Sequence, residues 1–381
     1  MWKSVEIWDI MKGTKDRLPV VEDKNMNNEK TGNRKRLILT ILCVVLGIVL
    51  AVWLGITMFI EYMVSMPNYV DRNATVPTLS QAEIEAIQNA RDETVDPDST
   101  APTVDENEID WGEVYQTIGG EDNIVNIMLI GQDRRPGEDR ARSDTMILVT
   151  FNKEKKTITM TSFMRDLYLD LPDGYYDDRI NVAYYLGGME LLDKTLYENF
   201  GVIVDANVEV DFDQFKHIID LLGGVEIDLS EAEAEYINTK MGGDYVSAGK
   251  QVLTGTQALW HARNRSTGGT SDFGRTDRQR NVLDALITAY KGQSTWDMLA
   301  MLDDILPMVT TDLTKSEVID YVWALFPMLS ECEVITQRIP VDGGYYGAMI
   351  RDMSVLVPYM DVNRQALIDS LTNADELEES A

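Results

Sequence analysis

From Leu37 to Ile60 the chain reads LILTILCVVLGIVLAVWLGITMFI, a run without one charged residue. As a helix it is long enough to cross the roughly 30 Å of hydrocarbon in a bilayer, so the reading is a membrane-spanning segment rather than a buried core helix. A secretory signal core is shorter and ends at a small-residue cleavage site, whereas EYMVSMPNY follows here. Arg34, Lys35 and Arg36 stand directly before the run, and such a positive flank marks the cytoplasmic side. Residues 1–36 are then a cytoplasmic tail, 37–60 one transmembrane helix, and everything after it extracellular. Cys43 falls inside the run and Cys332 stands alone beyond it. No disulfide can staple the outer part, which must be held by its core.

Residues 61–122 are rich in Pro, Thr, Asp and Glu. Such a composition buries little apolar surface, which predicts an extended stalk with one short helix around Ser80 to Arg91. The folded domain is expected over 123–372, with an acidic tail at 373–381. Within it, NIVNIMLIG (Asn123–Gly131), DTMILVTFN (Asp144–Asn152) and TITMTSF (Thr157–Phe163) read as strands. Short connections, one of them KEKK, favour an antiparallel meander. Asp133, Asp144 and Arg165 then arrive at one sheet edge.

Further on, NVAYYLGGMELLDKTLYENFG reads as one or two helices, VEVDF as a strand, DQFKHIIDLLGG as a helix and VEIDLS as a strand. TGTQALWHAR, Arg275 to about Tyr290 and Lys315 to Leu329 have helical period, and EVITQRIP is a late strand. The expected fold class is α/β, a mixed central β-sheet flanked by helices on both faces and preceded by the transmembrane helix.

The net charge of −30 argues against a nucleic-acid partner, which would require a broad basic surface. Against that background HARNRSTGGTSDFGRTDRQR, His261 to Arg280, gathers Arg263, Arg265, Arg275, Arg278 and Arg280 without one lysine. The planar guanidinium fork matches carboxylate and phosphate oxygens bidentately, where lysine offers a point charge. A helix from Gly274 puts Arg275, Arg278 and Gln279 on one face. Arg263 and Arg265, two apart, point the same way only if the helix carrying Ala258 and Leu259 ends near Arg263 and the chain is extended there.

A second group lies in GQDRRPGEDRARSDT, with Asp133, Arg134, Arg135, Arg140, Arg142 and Asp144; Arg165 and Asp166 follow in SFMRD, Arg179 and Asn181 in RINVAY. Two aspartates at a sheet edge suit Mg²⁺, which takes one or two carboxylates and leaves its other positions to water and substrate phosphates. Arginines around it would neutralise a diphosphate, a combination that describes phosphoryl transfer. A lattice of Asp–Arg ion pairs tying loops together fits the same residues. There are two histidines, His217 and His261, so histidine triads and multi-histidine metal sites are excluded in practice. His217, between Phe215 and Ile218, reads as structural. No G-x-S-x-G, Walker A or G-x-G-x-x-G motif occurs.

GQDRR, RSDTMILVTFN, SFMRDLYLDLP, RINVAYYLGG, LLGGVEIDL, GTQALWHARNR and DFGRTDRQRNVL, in this order, resemble the blocks of the LytR-CpsA-Psr family. The resemblance runs from about Asn123 to Leu371. It implies a single-pass bacterial membrane protein with an extracellular catalytic domain, which moves a glycopolymer from a polyprenyl-diphosphate lipid to peptidoglycan and leaves the lipid monophosphate. It further implies Asp133 and Asp144 as ligands of Mg²⁺, with Mn²⁺ as the alternative ion, and Arg142, Arg165, Arg263 and Arg265 as the phosphate clamp. Arg275, Arg278 and Gln279 would support from the helix face, with Arg179, Asn181 and Asp272 counted among the diphosphate contacts. Arg179 stands where the family often carries lysine, and Met164 where a proline usually precedes the arginine.

On this reading an acceptor hydroxyl attacks the sugar-bearing phosphorus, and Asp144 or Asp166 accepts its proton. The lipid chain requires an apolar channel, for which Ile147, Val149 and Phe163 are candidates that serve equally as core. Two other functions remain open: hydrolysis of the diphosphate with water as acceptor, and binding without turnover as an envelope sensor or scaffold.

Overall fold

The computed structural model describes residues 47–48, 50–51, 53–71, 79–88, 101–132, 142–267, 271–293, 295–325 and 332–372. Contacts divide the chain into two units, residues 1–61 and 62–381. In the first, residues 53–61 are helical (α1). Among the described residues no helix is long and apolar enough to cross a membrane. Residues 37–46, 49 and 52 of the expected span lie outside the described residues.

The second unit is built on a sheet of seven strands: β1 (Asn68–Tyr69), β2 (Ile124–Gln132), β3 (Ser143–Asn152), β4 (Thr157–Phe163), β7 (Ala206–Asp211), β10 (Thr310–Thr311) and β11 (Glu333–Ile339), in the order β1-β10-β7-β2-β3-β4-β11. The expected meander is there, with β2 antiparallel to β3 and β3 to β4. β7 joins β2 and β11 joins β4 in parallel, so the sheet is mixed; β5 (Tyr168–Leu169) and β6 (Asp178–Arg179) form a separate antiparallel pair, and α8 (Thr295–Ile305) precedes β10 in the chain.

Both faces of the sheet are covered, which is why β3 and β4 are buried at nearly every position instead of alternating. On one face Met128, Ile130, Met146, Leu148 and Phe163 pack with Leu192, Leu196 and Phe200 of α3 (Ile180–Phe200) and Leu367 of α10 (Met360–Thr372). On the other, Val149, Ile158 and Met160 meet Leu283 and Ile287 of α7 (Ser271–Lys291) and Leu325 of α9 (Lys315–Leu325). Gly188, at φ 66° and ψ −151°, breaks α3 into two helical parts.

A satellite core forms from α4 (Phe212–Leu221), α5 (Glu231–Met241), α6 (Gly255–Ala262) and the two-stranded sheet of β8 (Val225–Leu229) with β9 (Gly249–Leu253). VEIDL is therefore a strand, but not one of the central sheet. Its strict alternation of buried and exposed residues suits a ribbon with one covered face. Gly255 lets α6 press against α4, since a Cβ there would lie 2.0 Å from the Lys216 carbonyl oxygen. Lys315 to Leu329 forms a helix as far as Leu325, and residues 326–331 lie outside the described residues.

The expected stalk is partly folded. α2 (Gln81–Gln88) matches the short helix, and from residue 101 the chain packs onto the domain. Thr103 bridges Met349, Ile118 bridges Val202, and Arg364 donates to the backbone oxygens of Trp111 and Glu113 at 2.8 and 3.1 Å. Polar composition concealed this because the attachment runs through backbone groups and a few apolar side chains, Val104, Ile109 and Trp111, lying on the hairpin of β12 (Tyr345–Ile350) and β13 (Met353–Pro358).

Candidate active site

β3 begins at Ser143, and a register shift at Gly131 and Gln132 distorts β2 beside it. Such bulges re-aim side chains at sheet edges. Asp144 projects there, and Arg165, just past the end of β4, reaches it with its NH1 group at 3.1 Å from Asp144 Oδ1. Arg165 Nε is 3.2 Å from Asp166 Oδ2, and Arg179 approaches Asp166 Oδ1 to 3.6 Å. The expected convergence of Asp144 and Arg165 is thus observed, with Asp166 and Arg179 behind them. Asn181, also buried, has a carboxamide oxygen that meets no donor among the described residues. Asp133, Arg134, Arg135 and Arg140 lie outside the described residues, as does the side chain of Asp272 in the first turn of α7.

A cavity of about 410 Å³ opens beside Asp144, within the size range of small-molecule sites. Its walls are apolar: Leu129 and Ile147 from the sheet, Val208 and Val210 from β7, Phe215 and Ile218 from α4, Leu259 from α6, Leu283 and Leu286 from α7. Asp144, Arg263, Arg265, Arg275 and Gln279 supply its charged and polar lining, and Lys240 adds a cation beside Tyr236 and Trp260. Of the proposed channel residues, Ile147 borders the cavity. Val149 belongs to the core under α7 and α9, and Phe163 to the opposite core, its ring 5.7 Å from that of Phe200.

α6 ends where expected. A capping box starts it, with the Thr254 hydroxyl accepting from Gln257 N and the Gln257 side chain from Thr254 N, and Arg263 closes it. Arg263 is not extended, however; its φ of −89° and ψ of −3° are helical. The turn that follows brings both arginines to the cavity, Ser266 N donating to Asn264 Oδ1 at 2.9 Å. Arg263 lies 4.7 Å from the Phe212 ring centroid and 5.7 Å from that of Trp260. In the sequence each ring reads as ordinary core, and nothing local marks it as a partner for an arginine.

Arg278 occupies a different place from Arg275 and Gln279. Its Nε donates to Glu233 Oε1 at 2.7 Å, NH1 to Asn264 O at 2.9 Å and NH2 to Thr267 Oγ1 at 2.7 Å. It staples the loop that carries Arg265 to the start of α5 and does not border the cavity. Glu233 also closes the α5 capping box with Ser230. Burial works against its charge, but the Ser230 and Arg278 hydrogen bonds prevail and hold its carboxyl below the usual range. His261 is buried next to this pair, and burial, aided by the Arg278 charge and opposed by Glu233, pushes its imidazole down to about 4. His217, by contrast, is exposed on α4 and packs into no core.

Arg142 stands at the head of β3, where its charge acts on buried Asp178. For Mg²⁺ the donor chemistry fits: a hard ion with phosphate and water ligands requires one or two carboxylates, and Asp144 borders the cavity. Among the described residues no group of three or more His, Cys, Asp or Glu is placed to hold a metal ion by itself.

Residues 80–367 match the model of the LytR_cpsA_psr family. The polyisoprenyl-teichoic acid–peptidoglycan teichoic acid transferase TagU of Bacillus mycoides (strain KBAB4) is 32% identical over 223 residues, which are 58% of this chain and 69% of the relative. Its counterpart in Halalkalibacterium halodurans is 33% identical over 202 residues, 52% of this chain and 63% of the relative. Among solved structures, TagT bound to LIIa-WTA superposes with a TM-score of 0.55 at 26% identity, covering 68% of this chain and 97% of that one. The LytR-CPS2A-psr family protein YwtF (TagT) with bound octaprenyl pyrophosphate lipid gives 0.51 at 25%, covering 68% and 93%. The site's residues sit within the matched region, and the chain belongs to the LytR-CpsA-Psr family.

Proposed function

We propose that this protein transfers a glycopolymer from a polyprenyl-diphosphate carrier to peptidoglycan. The observation that carries the reading is the amphipathic cavity, with apolar walls for a lipid chain and three arginines with Asp144 for a diphosphate. The relatives are named as transferases of this kind, and one solved neighbour holds a polyprenyl pyrophosphate.

In the proposed reaction Arg263, Arg265 and Arg275 bind the diphosphate oxygens, and Arg165, held between Asp144 and Asp166, adds a fourth cation. An acceptor hydroxyl forms a bond to the sugar-bearing phosphorus, and the bond from that phosphorus to the bridging oxygen breaks. Lipid monophosphate leaves, its new charge stabilised by guanidinium groups already in place. The hydroxyl proton passes to a carboxylate, and Asp144 is the one that borders the cavity; Asp166 is enclosed by two arginines. Mg²⁺ on Asp144 and Asp133 would neutralise charge on the phosphates. A membrane anchor at residues 37–60 would keep the domain where a lipid diphosphate resides.

The test incubates the purified full chain in detergent with a polyprenyl-diphosphate-linked glycan, Mg²⁺ and peptidoglycan. A covalent glycan–peptidoglycan product supports transfer. Glycan phosphate released to water would assign a hydrolase instead, and lipid binding without turnover a scaffold.

A further inference from the structure

The two-residue turn between β12 and β13 holds Arg351 at φ 48° and Asp352 at φ 60°. Tight hairpins favour such left-handed values, usually through Asn-Gly, and a residue bearing a Cβ is strained there. The turn aims one guanidinium inward. Arg351 Nε lies 3.2 Å from Glu106 Oε2, and NH2 lies 3.8 Å from Asp178 Oδ2 and donates to the Asp177 backbone oxygen.

Asp178 is 1% exposed, and its Oδ2 accepts no hydrogen bond among the described residues. Leaving a buried carboxylate uncompensated is expensive, so the Arg351 charge matters to where Asp178 can sit. Asp178 in turn accepts from the Arg179 backbone N–H at 2.7 Å. Arg179 approaches Asp166, Asp166 pairs with Arg165, and Arg165 pairs with Asp144. A chain of contacts thus runs from the hairpin turn to the cavity, made of ion pairs except between Asp178 and Arg179, where the link is the Arg179 backbone N–H. The backbone repeats the attachment, because Leu356 of β13 donates from its N–H to the Asp166 carbonyl at 2.9 Å. The hairpin grips the arginine group at two points.

We propose that Arg351 is a positioning residue for the transfer reaction. By compensating Asp178 from behind, it holds Arg179 and, through Asp166 and Arg165, sets the carboxylate of Asp144 at the cavity. The inference rests on the transfer reading above.

The test compares full-length wild type, Arg351→Ala, Arg351→Lys, Asp178→Asn and the double variant Arg351→Ala/Asp178→Asn in the glycan transfer assay. Wild-type turnover is the control for the reaction itself, so absence of product in every protein counts against the transfer reading and not against Arg351. For Arg351→Ala, kcat should fall about tenfold or more while the donor KM stays within about twofold, since only geometry in the transition state is lost. Lysine at 351 or added guanidinium ion should restore part of kcat. The double variant should lose no more than about twofold beyond Arg351→Ala, as groups acting in series are not additive. Lowered melting temperatures with wild-type kcat in the folded fraction overturn the proposal, as do independent losses in the double variant or a defect confined to donor KM. Should Arg351→Ala fail to fold, Arg351→Lys and Asp178→Asn carry the same comparison.

Discussion

Arg278 Nε lies 2.7 Å from Glu233 Oε1, with both side chains largely shielded from solvent. The contact ties α7 to the first turn of α5, and the rest of the guanidinium reaches the loop that bears Arg265. An arginine in the middle of the RTDRQR run therefore holds the site's frame, while its neighbours Arg275 and Gln279 face the cavity.

That division predicts opposite phenotypes. Arg278→Ala should lower stability by about 3 to 5 kcal/mol, the cost of leaving a buried partner charge uncompensated. Arg265→Lys should leave the melting temperature near wild type and reduce turnover about ten- to a hundredfold, because an ammonium keeps the charge and loses the fork. Thermal melts and turnover on both proteins check the assignment; a stable, inactive Arg278→Ala would reverse it.

Asp144→Ala should cut transfer about a hundredfold or more and flatten the response of the residual activity to added Mg²⁺, while the fold persists. A titration of turnover against Mg²⁺ in wild type and variant measures this, and normal Mg²⁺ stimulation in Asp144→Ala would refute a metal role for that carboxylate.

The cavity walls predict a lipid-specific defect. Ile218→Trp places a larger side chain in the apolar part, and should weaken binding of a long-chain polyprenyl diphosphate by about tenfold or more. Binding of a water-soluble diphosphate, read by calorimetry, should be unchanged.

One buried and one half-buried group give opposed pH dependences. His261, pushed down to about 4 by burial, leaves the folded chain short of a proton that the unfolded chain binds below about 6.5. Its contribution is lost as pH falls through that window, at most roughly 3 kcal/mol. Asp177, pushed up to about 6 by burial and then by the Asp170 charge, keeps a proton that the unfolded chain releases above about 3.9. Its contribution is lost as pH rises toward 6. Melting temperature between pH 4.5 and 6.5 should therefore slope more negatively with pH in His261→Gln and more positively in Asp177→Asn.

The elements that carry the site were legible because each signal is local. Three successive apolar runs, the last two joined by the short turn KEKK, favour a meander. The helical period of α3, α4, α6 and α7 marks helices from neighbours three and four residues apart. From the meander follows the convergence of Asp144 with Arg165, since antiparallel strands return their ends to one edge.

Only the tertiary structure decided what each charge does. Glu233 caps its own helix with one oxygen, and its second oxygen finds Arg278 across 45 positions. Arg351 meets Asp178 across a still longer loop, through a turn whose left-handed residues carry no glycine signal. VEIDL left the central sheet for a ribbon with β9, and polar residues 101–118 folded onto the domain through backbone bridges. Local sequence specifies which dihedrals are favourable and which face is apolar. Which arginine meets phosphate and which meets glutamate depends on contacts between distant segments, and these form only when the cores between them pack.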